Sequence, residues 1–310
     1  MSARKSRPGP ALRGTLTATV TPFHHGALDL ERLGRQIDRQ LEAGVDGLVP
    51  AGTTGENPTL TLEEHEKVVA AVCERVGKRI PVVAGVGTNS TAESVHLAKS
   101  AKDAGADAGL VVVPYYNRPV GKGLVDHYRK IWDESGLPLV VYNIPSRTGM
   151  PLTAEIYDQL AGIEGIFAVK ESSGDLNLAS HLLANHDVNV LAGDDSLAVP
   201  MMSIGASGVI SVASNLIPAE MKLLTDAALK DDWIQARYLH RKLFPLWRAL
   251  FTETNPIPLK CALRLLKLDS GETRLPLGHA TARTEEGIGA QLQSLGLLGG
   301  DLDQYIDPRD

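Results

Sequence analysis

The sequence is short of most features that would mark a specialised protein. Only Cys73 and Cys261 occur in 310 residues. That permits one disulfide, excludes a disulfide framework and makes a cytoplasmic setting the expectation. No apolar run approaches the roughly 18 residues of a membrane span. Lys and Arg total 31 against 37 Asp and Glu, net −6. No basic face is implied, so neither nucleic acid nor a membrane is an expected partner. Residues 1–13 are basic and contain Pro and Gly but no apolar core, so they read as a flexible tail and not as a signal peptide. No Gly-x-Gly-x-x-Gly fingerprint follows the first strand pattern. The nine histidines form no His-x-x-x-His or His-Glu-x-x-His pair, and adjacent His24 and His25 are weak evidence alone. No cofactor and no metal site is therefore expected.

What the chain does have is a repeated strand–helix alternation. Apolar or β-branched runs recur at 15–20, 45–49, 80–84, 108–113, 137–143, 165–170, 188–192 and 207–211. Their spacing is that of a βα unit. Amphipathic stretches separate them, such as 28–43, 62–76 and 92–104. The first has Leu30, Leu33, Ile37 and Leu41 at helical spacing, and the second opens with the capping-box pattern Thr61 to Glu64. Strands without polar alternation must be covered on both faces, so the pattern predicts a (β/α)8 barrel of the TIM type in preference to an open doubly wound sheet. The barrel is expected over 14–231. Helical patterns at 232–253, 258–267 and 285–298 then predict a C-terminal helical region over 232–310, with 299–310 a loose tail.

In such a barrel, chemistry sits where strands end. Gly52-Thr53-Thr54-Gly55-Glu56 follows strand two, and a Gly-rich turn with two hydroxyls suits a small anion such as a carboxylate. Tyr142 ends strand five, with Arg147 shortly after. A phenol can relay protons and a guanidinium can fork onto a carboxylate, although packing and a solvated charge are the plain alternatives. Lys170 closes the apolar strand six. A lysine whose ammonium is denied water gives up its proton more readily, and the neutral amine attacks carbonyls; a stem that carries the ammonium out to water is the competing reading. The aromatic loop 114–119 lines the site or meets another subunit. Gly193-Asp194-Asp195 after strand seven puts two carboxylates at the barrel mouth, which argues against a phosphorylated substrate.

These motifs together resemble the dihydrodipicolinate synthase / N-acetylneuraminate lyase family of Schiff-base aldolases. The likeness runs from about Gly14 to Leu277. It rests on Gly-Thr-Thr-Gly-Glu at 52–56, Tyr-Tyr-Asn-Arg-Pro at 115–119, Tyr-Asn-Ile-Pro-Ser-Arg-Thr-Gly at 142–149 and Val-Lys-Glu-Ser-Ser-Gly-Asp at 169–175. Gly-Asp-Asp at 193–195, Gly-Val-Ile-Ser-Val at 208–212 and Asn-Pro-Ile-Pro-Leu-Lys at 255–260 also match.

The resemblance implies a pyruvate-using enzyme with no cofactor. It makes Lys170 the Schiff-base lysine and Tyr142 the proton-relaying tyrosine. Thr53 and Thr54 become the carboxylate-binding pair, with Thr54 also in the relay. Tyr116 matches a tyrosine lent by a neighbouring subunit, which implies a homo-oligomer, at least a dimer and usually a tetramer. Ile210 matches a residue whose carbonyl faces the lysine, and Gly193 lies in the substrate site. Arg147 matches the synthase branch, whose second substrate is L-aspartate 4-semialdehyde; the alternative is a sugar-acid or hydroxy-oxo-acid aldolase of the same family. The remote third reading is a barrel that binds small molecules without catalysis. His65, Asn89, Glu93 and Tyr115 match a feedback site for lysine. Asn57, Pro58 and Leu62 depart from it, which predicts weaker inhibition. The resemblance assigns nothing after Leu277.

Overall fold

A computed structural model describes residues 7–298. Its centre is an eight-stranded parallel sheet. The strands are β1 (Gly14–Ala18), β2 (Gly47–Val49), β3 (Val83–Gly85), β4 (Ala108–Val112), β5 (Leu139–Asn143), β6 (Ile166–Glu171), β7 (Asn189–Ala192) and β8 (Gly208–Ser211). Neighbours follow chain order, and β8 returns to β1. A parallel bridge from Leu48 to Val82 joins β2 to the approach of β3 and closes the barrel. Each apolar run expected as a strand overlaps one, to within a few residues at its ends, because every strand is covered on both faces.

Residues alternate between two cores. Leu16, Val49, Val83, Leu110, Val140, Leu191 and Ile210 fill the barrel interior. Outward residues such as Val111, Val141 and Val169 pack beneath the helices. The expected helices form as Leu30–Glu42, Leu62–Val76 and Thr91–Asp103. The Thr61–Glu64 capping box is complete: Glu64 N donates to the Thr61 hydroxyl and Thr61 N donates to the Glu64 carboxylate.

The C-terminal region is helical over Trp233–Ala249, Ile257–Leu265 and Ala282–Ser294. Trp247, Leu259, Ile288 and Leu292 are buried in the cluster that includes the outer face of the barrel strands. These helices thus share the barrel's core, and Cys73 and Cys261 are both free thiols.

The N-terminal segment differs from expectation. Residues 1–6 and the expected loose tail at 299–310 lie outside the described residues. Residues 7–13, however, are seated. Leu12 is buried in the interior cluster beside Leu16 and Phe167, and the Arg7 guanidinium donates to Ala161 O at 2.8 Å. One leucine closes the end of the barrel where the strands begin, and one arginine satisfies the Ala161 carbonyl at the end of the helix Ala154–Leu160. A single apolar residue within a basic, Pro-containing stretch produces no periodic signal.

Candidate active site

Lys170 and Tyr142 stand side by side. They are register partners on β6 and β5, and both are buried, at 5% and 4% exposure. The Lys170 ammonium lies 4.2 Å from the centre of the Tyr142 ring. A register shift at Leu139/Val140 sets this pairing: Leu139 faces Ile166, whereas Val140 already faces Ala168. Phe167 is the extra residue, and such bulges re-aim side chains beside functional sites. The snorkelling alternative is therefore excluded, since the lysine head stays inside the barrel.

Gly193, just past β7, makes room for that head. A Cβ there would fall 3.0 Å from Lys170 Cε, 3.1 Å from its Cγ and 1.8 Å from Ser172 Oγ. A larger residue there would turn the Ser172 hydroxyl aside and press on the lysine stem.

The turn after β2 folds on itself. Gly55 N and Asn57 N both donate to Gly52 O, and Glu56 N donates to Thr53 O. This turn leaves Thr53 on the wall of a cavity of about 210 Å³, whose lining also includes Gly52, Tyr142, Ile144, Tyr115 and Arg147. Arg147 belongs to the short helix Pro145–Thr148. It is exposed at the rim, and its guanidinium donates to Asn255 O at 2.9 Å. Thr54 is buried, and its hydroxyl accepts from Asn255 Nδ2 at 3.0 Å. A cavity walled by a Gly/Thr turn, a phenol and a guanidinium can hold a small carboxylate; Lys170 and Thr54 do not line it, and Lys170 adjoins it through its neighbour Tyr142.

The other expected residues fall into three groups. Ile210 lies in the barrel interior, opposite Leu16 on β1. Tyr116 is not in the site of its own chain: it is 91% exposed and holds φ +68°, while Tyr115 beside it lines the cavity. The aromatic loop thus sends one ring inward and one outward. His65, Asn89, Glu93 and Tyr115 come together. Tyr115 feels the Glu93 carboxylate and bonds the Asn89 backbone, and its phenol is pushed up, first by burial and then by Glu93. His65 is buried, with Nε2 2.6 Å from Gly85 O, and burial lowers its pKa. It is therefore neutral at pH 7, with the proton on the nitrogen that faces the carbonyl.

The acid pair after β7 does not face the cavity as expected. Asp195 is buried and accepts from Val212 N and Ala213 N at 3.1 and 2.9 Å. Burial pushes its carboxyl up to about 6. Asp194 accepts from Ser196 N and Oγ. Asp195 thus accepts from orphan N–H groups that follow β8, and Asp194 caps the short turn of helix Asp195–Leu197 that follows β7.

Two features escape a reading of the sequence. Asn255 reaches Thr54 and Arg147 from the C-terminal region. Lys260 forms a fully buried ion pair with Glu56 at 2.6 Å and also donates to Thr21 O and Glu272 O. The motif at 255–260 was their only signal, and a motif states no contact. Among the described residues, one cluster has a metal-like donor set, on the outer helices: Asp158 with His181 and His186. Asp158 accepts from both Nε2 atoms at 2.9 and 2.7 Å. Asn185 Nδ2 lies 3.3 Å from His181 Nδ1, which keeps the ring proton on Nε2, where it donates rather than ligates.

Residues 11–295 match the dihydrodipicolinate synthetase family. The chain belongs to this family. The match passes Leu277, where the expected likeness ends, and takes in the helix Ala282–Ser294. A 4-hydroxy-tetrahydrodipicolinate synthase of Persephonella marina is 44% identical over 290 residues, 92% of this chain and 99% of that protein. The crystal structure of dihydrodipicolinate synthase from Aquifex aeolicus superposes with a TM-score of 0.91 at 44% identity, covering 92% of this chain and 99% of that one. The chloride-inhibited dihydrodipicolinate synthase of Acinetobacter baumannii, complexed with pyruvate, gives 0.90 at 39%, covering 93% and 100%. Members of this family thus share both the barrel and the helices that follow it.

Proposed function

We propose that this enzyme condenses pyruvate with L-aspartate 4-semialdehyde through an imine on Lys170, as a lyase of lysine and diaminopimelate biosynthesis. The pairing of Lys170 with Tyr142, whose ring lines a cavity of about 210 Å³, carries the assignment. The Lys170 amine attacks the pyruvate carbonyl carbon, and Tyr142 and Thr54 pass the protons that let water leave. Thr53 and Thr54 hold the pyruvate carboxylate. Loss of a methyl proton gives the enamine, whose carbon attacks the aldehyde of the second substrate. Arg147 at the rim holds that substrate's carboxylate. The substrate's own amine then closes on the imine carbon, Lys170 leaves, and 4-hydroxytetrahydrodipicolinate is released. The imine itself serves as electron sink, so the chemistry requires no cofactor.

Tyr116 completes the relay in a neighbouring copy. A tyrosine held at positive φ with its ring in solvent carries strain, which supports a role across an interface. The active form is then at least a dimer, with a tetramer expected. No helix among the described residues is long and apolar enough to cross a membrane, and we assign the enzyme to the cytoplasm. The cluster of His65, Asn89, Glu93 and Tyr115 takes free lysine, weakly, because Leu62 stands where sensitive relatives carry an imidazole. Tight inhibition in a lysine titration would refute the weakness.

Borohydride reduction in the presence of pyruvate tests the core of the assignment. A pyruvate-derived mass increment on the peptide containing Lys170 is expected. An unmodified Lys170, or an increment on another lysine, would overturn it.

A further inference from the structure

We infer that Asn255 is a positioning residue, which sets the direction of the Thr54 hydroxyl and ties it to Arg147. The inference rests on the roles proposed above for Thr54 and Arg147.

Asn255 precedes the helix Ile257–Leu265, in the region that follows the barrel. It is 5% exposed. Its side-chain nitrogen donates to Thr54 Oγ1 at 3.0 Å, and its backbone carbonyl accepts from Arg147 at 2.9 Å. Its Oδ1 is buried without a protein partner, so the amide's one bond within the protein is the bond to Thr54. A hydroxyl has one proton and two acceptor sites. Donation from Asn255 occupies one acceptor and turns the Thr54 proton away from Asn255, free to be donated within the relay. One residue thereby holds both halves of the site: the relay hydroxyl through its side chain and the aldehyde-binding guanidinium through its backbone.

A second anchor keeps Asn255 in place. Five residues on, Lys260 is ion-paired with Glu56, two residues past Thr54, and neither side chain has any exposure. The segment 255–260 therefore grips the turn 54–56 at two points. The C-terminal helices are on this account part of the catalytic apparatus.

Two substitutions separate orientation from scaffolding. Asn255→Asp keeps the shape but supplies only acceptors, so it draws the Thr54 proton out of the relay. Asn255→Ala leaves the hydroxyl free to rotate. Both retain the backbone carbonyl that Arg147 uses. Imine formation with pyruvate, kcat, KM for L-aspartate 4-semialdehyde and melting temperature would be measured on each. Imine formation and kcat should fall roughly 100-fold in the Asp variant and roughly 10-fold in the Ala variant, with KM for the aldehyde within about threefold. Equal losses in the two variants would overturn the inference, because a scaffold does not distinguish donor from acceptor. So would an Asp variant that keeps more than half of the imine-formation rate. Failure of the unmodified enzyme to turn over the aldehyde would count against the proposed substrate alone, and the imine rates would still decide Asn255.

Discussion

The Lys170 ammonium sits 4.2 Å over the face of the Tyr142 ring, and the two residues are paired across adjacent strands. Strand register, not a flexible loop, fixes the proposed nucleophile against the proposed proton relay. Tyr142→Phe should keep the ring beneath the lysine and remove only the hydroxyl. We predict that kcat falls by about 10² to 10³ with the melting temperature nearly unchanged. Steady-state kinetics and a thermal melt on the same preparation check this; a Phe variant with near-normal kcat would remove Tyr142 from the relay.

A side chain at Gly193 is predicted to slow imine formation. The new methyl in Gly193→Ala would collide with Ser172 Oγ and press on the Lys170 stem. Overpacking of this kind costs about 1–3 kcal/mol, and a displaced nucleophile costs further in rate. The expected result is a folded protein, destabilised in urea, that forms the pyruvate imine at least tenfold more slowly. Imine formation at the normal rate would mean that the lysine does not depend on this gap.

Tyr116 offers a test by complementation. Tyr116→Phe subunits keep Lys170, and Lys170→Ala subunits keep Tyr116. Each variant alone should be nearly inactive. After mixing in equal amounts and random subunit exchange, half of the pairs are mixed and one site in each is complete, so activity should return toward about a quarter of the native value. No recovery, with exchange verified by mass spectrometry, would place Tyr116 outside the neighbour's site.

The buried Asp195 makes stability depend on pH in an uncommon direction. Its pKa rises from 3.8 in the unfolded chain to about 6 in the fold. Between these values the folded state holds a proton that the unfolded state has released, so stability from this group falls as pH rises from about 4 to about 6. In Asp195→Asn this slope should vanish. On lowering the pH from 7 to 4, the native chain should gain on the variant by about 2–3 kcal/mol. Denaturant unfolding at both values measures the difference, and parallel pH profiles for the two proteins would contradict it.

What could be read from the chain was local. Eight strands were visible because a strand covered on both faces is a continuous apolar run. Lys170 was visible because a charge ends such a run. What could not be read depends on partners far along the chain. Asn255 acquires its meaning from Thr54, 201 residues away, and from Arg147, 108 away. Arg7 is explained by a carbonyl 154 residues on. Two adjacent acids look alike in sequence, so the motif at 193–195 gives Asp194 and Asp195 the same place although only Asp195 is buried. Only folding brings the Val212 and Ala213 N–H groups to it.

Turnover with pyruvate and L-aspartate 4-semialdehyde, run beside cleavage of a 2-keto-3-deoxy sugar acid, tests the central claim most directly. The account predicts rapid condensation to 4-hydroxytetrahydrodipicolinate that Lys170→Ala abolishes, with little sugar-acid cleavage. Sugar-acid cleavage without condensation would contradict it, and would leave Lys170 in place while removing Arg147 from its assigned role.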